Sequence, residues 1–101
     1  MKARILSFYM NPSLLSDVMR VVDEEVIPAY RSLPNFVGLV VLRSLRTPRA
    51  MIGISIWNGD LEDSEELMDG FRQRLGQVID FSFATEPFEV LRTAFDNQNT
   101  P

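Results

Sequence analysis

Hydrophobic and polar positions divide the chain into alternating strand-like and helix-like stretches. Ile, Leu, Phe and Tyr dominate Arg4 to Met10, and a strand is expected there. Asn11-Pro12-Ser13 has the chemistry of a helix start, with Asn11 or Ser13 able to cap and Pro12 tolerated in the first turn. Leu15, Val18, Val22, Val26, Ala29 and Leu33 then recur at helical spacing, while Asp17, Asp23 and Glu24 fall off that stripe. Pro28 has no backbone donor and clashes with the turn before it, so a kink or split is expected. Leu33-Pro34-Asn35 ends the helix. Val and Leu make Phe36 to Ser44 a second strand. Leu45 to Arg49 is the hairpin turn, and Ala50 to Trp57 a third strand. Asn58-Gly59-Asp60 is turn chemistry, and Asp63 to Glu66 has the spacing of a capping box with Asp in place of Ser or Thr. Leu67, Met68, Phe71, Leu75, Val78 and Ile79 form a second helical stripe, and Phe88 to Phe95 is the fourth strand.

The order is β-α-β-β-α-β. It predicts an α+β, ferredoxin-like sandwich with an antiparallel four-stranded sheet and two helices on one face. One domain is expected over residues 1–95, with a flexible C-terminal tail over 96–101. A lone domain of this plan wets one sheet face, so its strands should alternate apolar and polar. These do not. Ile52, Ile54 and Ile56 lie on one side of the third strand, and Met51, Gly53, Ser55 and Trp57 on the other. In the second strand Val37, Leu39 and Val41 oppose Gly38, Val40 and Leu42. Two helices cover one face only. A second copy is expected to cover the other, giving a homodimer packed through its sheet faces.

Composition narrows the function. Ten basic residues stand against 14 acidic ones, for a net charge of −4, which argues against a nucleic-acid partner. There is no cysteine, so disulfide and thiolate chemistry are excluded. There is no histidine either, which removes the commonest general base and metal ligand. No metal and no cofactor are expected. The charge-free stretch Leu33 to Leu42 is too short to span a membrane, and residues 1–10 lack the pattern of a targeting segment. A cytoplasmic protein without a membrane role is the expectation.

One further set of features carries a resemblance. The strand-helix order, the run Val26-Ile27-Pro28-Ala29-Tyr30-Arg31-Ser32-Leu33-Pro34-Asn35-Phe36-Val37-Gly38 and the tryptophan closing the third strand resemble the dimeric α/β-barrel superfamily. Within it they look like the antibiotic biosynthesis monooxygenase-like family, over roughly residues 4–95. Asn35 stands where that family often has glycine. The resemblance implies a pocket within each protomer, between sheet and helices. It also implies two activities: cofactor-free oxidation of polycyclic aromatics by dioxygen, or haem degradation. Haem degraders of the family use a histidine, which this chain lacks. Its cofactor-free oxidases have an asparagine four residues before the tryptophan, and here that position is Gly53.

The candidate site residues follow. Ser7 and Tyr9 share a face of the first strand, and Ser55 and Trp57 share a face of the third. If the two faces coincide, a planar ligand could stack on Trp57 and Tyr9 while Ser55 or Ser7 orients a carbonyl. Arg92 is the candidate for steadying an anionic oxygen, and Tyr9 and Arg92 are the candidate catalytic residues. The plainer alternatives are core or interface aromatics, and strand-end arginines, Arg43 and Arg92, paired with nearby carboxylates. The Asp60 to Asp69 acidic cluster reads as helix-start charge rather than a cation site. The expected function is a cofactor-independent monooxygenase acting on an aromatic or polyketide-like small molecule. The alternative is a non-catalytic dimeric module that binds a ligand or a protein.

Overall fold

Alternation of large side chains along β1 (Lys2–Met10) builds the floor of the molecule. In the computed structural model, which describes residues 1–76, 79–80 and 86–95, β1 pairs antiparallel with β3 (Ala50–Trp57), and β3 with β2 (Phe36–Arg43). The opposite edge of β1 is shared by two short strands. β4 (Ile79–Asp80) pairs with Tyr9 and Met10, and β5 (Glu86–Glu89) with Lys2 to Ile5. The sheet is antiparallel throughout and four strands wide, in the ferredoxin-like arrangement that the element order predicts. The fourth strand is displaced from its expected place. The strand ends at Glu89, the Val90 N–H still donates to the Met1 carbonyl at 2.9 Å, and Leu91, Arg92 and Phe95 lie beyond it, exposed.

The helical layer begins as the sequence predicts. Asn11 Oδ1 accepts a hydrogen bond from the Ser13 backbone N–H at 3.0 Å, and Pro12 opens a single 3₁₀ turn. α1 (Leu15–Val21) then passes into a π-helical segment, Val22–Val26, followed by α2 (Ile27–Arg31). Pro28 explains the change of pitch. It cannot donate to the carbonyl four residues back, so the chain widens, and the Ile27 N–H reaches Val22 O, five residues away. The proline therefore splits the helix by a change of register.

Gly59, at φ +82°, turns the chain from β3 toward α3 (Glu62–Leu75). Asp60 Oδ1 accepts from the Glu62 N–H at 2.9 Å, so Asp60 starts this helix in place of the expected Asp63–Glu66 box. The helix stops at Gly76. Ile79 belongs to β4 rather than to the helical stripe, and Val78 and the tail over 96–101 lie outside the described residues. No helix among the described residues is long and apolar enough to cross a membrane.

Two clusters hold the sheet to the helices. Phe8, Met10, Val18 and Met51 pack at one end, and Tyr30, Trp57 and Leu61 at the other. The helix-facing row of β3 shows why the core divides. Its residues run Met51, Gly53, Ser55, Trp57, so two large side chains flank two positions with almost none.

Candidate functional site

The gap over Gly53 and Ser55 is a cavity of about 80 Å³ between sheet and helices. Leu6 and Phe8 of β1 and Leu39 and Val41 of β2 complete its floor. Val18, Val22 and Val26 close it from the first helical run, the last two from the π-helical segment. Three polar side chains interrupt this apolar lining: Tyr30 from α2, Ser55 from β3 and Arg72 from α3.

Each has a distinct environment. Tyr30 is 3% exposed and packs against Phe36, Trp57 and Phe71, with ring centroids 5.8, 5.1 and 6.1 Å away. Burial pushes its pKa up to about 12, against the opposing pull of the Arg4 charge. Tyr30 is therefore a phenol at neutral pH, able to donate a hydrogen bond and unsuited to act as a base. Ser55 is 1% exposed, and its hydroxyl has no hydrogen-bond partner among the described residues. Buried hydroxyls are normally satisfied, so this one is available to a bound molecule. Arg72 brings positive charge to the lining. Arg4, buried beside Ser55 in the register of β1 and β3, is ion-paired with Glu65 of α3.

The sequence candidates separate. Ser7 lies opposite Ile52 and Tyr9 opposite Ala50, which puts both on the open face of the sheet. Ser55 and Trp57 are on the helix face. The proposed four-residue patch does not form, because residues directly opposite in an antiparallel pair share a face and the β1–β3 register sets Ser7 with Ile52. Trp57 is fully buried in the aromatic cluster, 5.2 Å from Phe36, and does not line the cavity. Arg92 lies past the last strand, exposed, donating to the Leu91 carbonyl at 2.6 Å, far from the expected intrastrand position. Arg43 is exposed at the end of β2.

Of the five candidates only Ser55 reaches the cavity. Tyr30 and Arg72 were not singled out for it, yet the helical stripes point to both. Tyr30 is four residues after Val26, and Arg72 stands four after Met68 and three before Leu75. A cation on an inward stripe is the signal that names Arg72. No three His, Cys, Asp or Glu residues gather as a metal site among the described residues.

No family model matches the sequence, and no curated protein matches it. Solved structures do. The monooxygenase ActVA-Orf6 of Streptomyces coelicolor, solved with nanaomycin D, superposes with a TM-score of 0.68 at 14% identity, over 93% of this chain and 89% of that one. HapK of Hahella chejuensis gives 0.71 at 12% identity, over 95% and 98%. SnoaB of Streptomyces nogalater, a cofactor-independent oxygenase, gives 0.67 at 14% identity, over 91% and 94%. The chain thus has the fold of antibiotic biosynthesis monooxygenases, as the resemblance in its sequence implies. At these identities the likeness is one of fold.

Proposed function

We propose that this protein binds an aromatic or polyketide-like compound between its sheet and its helices and oxidises it with dioxygen, without a bound cofactor. The observation that carries the reading is the cavity, an apolar chamber interrupted by a phenol, an unpartnered serine hydroxyl and a guanidinium. The fold neighbours support it. ActVA-Orf6 is a monooxygenase solved with nanaomycin D, and SnoaB is a cofactor-independent oxygenase.

The chemistry follows from the lining. No carboxylate is among its described lining residues, so the substrate must be acidic on its own account, as a methylene flanked by aromatic rings and conjugated to a carbonyl is, and its proton passes to solvent water. Arg72 stabilises the enolate or phenolate that remains, and Tyr30 and Ser55 donate to its oxygens. The electron-rich anion supplies the electrons that dioxygen takes up. The balance is CH₂ + O₂ → C=O + H₂O, one oxygen atom going to each product. A void of about 80 Å³ is smaller than the roughly 150 Å³ of an apolar cavity that accepts benzene, so the proposed binding of fused rings requires the helical wall to move outward. The π-helical segment is where that wall departs from regular helix.

Oxygen uptake with anthrone tests the proposal. Uptake above the protein-free rate is expected, matched one to one by anthraquinone formation. Arg72→Leu should slow it by about 10²-fold, the typical effect of losing one oxyanion donor. A rate equal to that of spontaneous oxidation refutes the proposal.

We also propose that a second copy covers the open sheet face. Val40, Leu42, Ile52 and Phe88 stand there between 38% and 45% exposed, and Tyr9 stands with them. An apolar sheet face of this kind is self-complementary under a twofold axis.

A further inference from the structure

We infer that Gly53 sets the substrate class of the cavity by leaving a slot in the sheet floor that admits the edge of a planar ring system and aligns it with Ser55. The inference rests on the reading of the cavity as a ligand site. A Cβ built at Gly53 would meet no atom of the described residues within 4 Å, although the residue sits at the centre of a helix-covered sheet. Its direct neighbours are Leu6 on β1 and Val41 on β2. Strands run about 4.8 Å apart, so the two backbones that flank the slot are about 10 Å from each other. Along β3 the slot is bounded by Met51, which is 2% exposed, and by Ser55, about 7 Å further on the same face. The open space and the unpartnered Ser55 hydroxyl therefore lie in one line on the floor. A ring lying edge-down over Gly53 puts an oxygen substituent of the adjoining ring beside that hydroxyl. The fitting class is a fused, planar bicyclic or tricyclic compound with an oxygen on one ring. A saturated bicycle is thicker than an aromatic one, and Leu6 and Val41, which flank Gly53, are expected to discriminate against it.

Calorimetric titration with three probes tests this: 1-naphthol, naphthalene and the saturated 1-decalol. The wild-type protein should bind 1-naphthol and discriminate against 1-decalol. Gly53→Ala should weaken 1-naphthol binding by about tenfold or more, the effect of one methyl group in a fitted pocket, while its melting temperature stays level or rises. Ser55→Ala should remove the preference for 1-naphthol over naphthalene. Wild-type affinity for 1-naphthol in Gly53→Ala overturns the slot and leaves the cavity reading standing. A Gly53→Ala protein that unfolds overturns it too, because the space would then be filled. Failure of the wild-type protein to bind any of the three overturns the slot and the cavity reading together.

Discussion

Replacing Ser55 by alanine should make the protein more stable and less able to bind. A serine hydroxyl that is buried and unpartnered forfeits its hydrogen bonds to water on folding, at a cost of about 1–3 kcal/mol. Alanine removes that oxygen and leaves the backbone pairing of β3 with Arg4 and Leu39 untouched. It opens little new void, because the position already borders a cavity. Taking the low end, about 1 kcal/mol, a domain of this size should melt about 4–8 °C higher. An ordinary core truncation moves the other way, by about 0.5–3 kcal/mol. The assay is thermal unfolding by circular dichroism on the wild-type and Ser55→Ala proteins, at equal concentration since the melting point of the proposed dimer would depend on it. A fall in melting temperature would mean that the hydroxyl is satisfied, and the argument that it waits for a ligand would collapse. A rise with 1-naphthol affinity intact would separate the strain from the site.

Tyr30 links the same cavity to pH. Its pKa in the folded chain, about 12, lies above the ordinary 10.0, so its contribution is whole below pH 10 and is lost as pH rises from 10 through 12, in total roughly 3 kcal/mol. Urea unfolding across that range should show a steeper alkaline loss in the wild type than in Tyr30→Phe; equal slopes would contradict the assigned cause. Ile52→Lys places a charge in the open sheet face and should convert a dimer to monomer in light scattering at micromolar concentration. A wild-type protein that is already monomeric there would remove the proposed second copy.

How much of this was legible in the chain differs by level. The first three strands and both helical runs follow from periodicity, and the ends that the sequence predicts for β3, Ala50 and Trp57, are the ends it has. Pro28 announced a break in the first helix, though not that it would take the form of a wider register. The fourth strand failed for a physical reason. Val90, Leu91 and Phe95 have strand propensity, but the β1–β5 register sets Glu89 opposite Lys2, the Val90 N–H donates to the Met1 carbonyl, and Leu91 to Phe95 pass beyond the end of β1. Arg92 was misplaced with that strand. The patch of Ser7, Tyr9, Ser55 and Trp57 failed differently. Period two tells which residues of one strand share a face, but the phase between β1 and β3 comes from their register, which a crossover connection does not encode locally. The cavity itself was half visible. Period two puts Met51, Gly53, Ser55 and Trp57 on one face, and the small pair between two large residues is the gap. The opposite wall is less plain: Tyr30 and Arg72 extend the helical stripes, but packing decides which members of a stripe reach the cavity.

The central claim is that a ligand occupies the space between sheet and helices. Trp57 is the only tryptophan, and Tyr30, which lines that space, stands 5.1 Å from it. The most direct measurement is quenching of Trp57 fluorescence by 1,4-naphthoquinone, corrected for inner-filter absorption, in the wild-type protein and in Val41→Phe, whose added ring fills the cavity. The account predicts saturable quenching with one site per chain, lost in Val41→Phe. A linear response in both proteins, or saturation that Val41→Phe leaves unchanged, would contradict it.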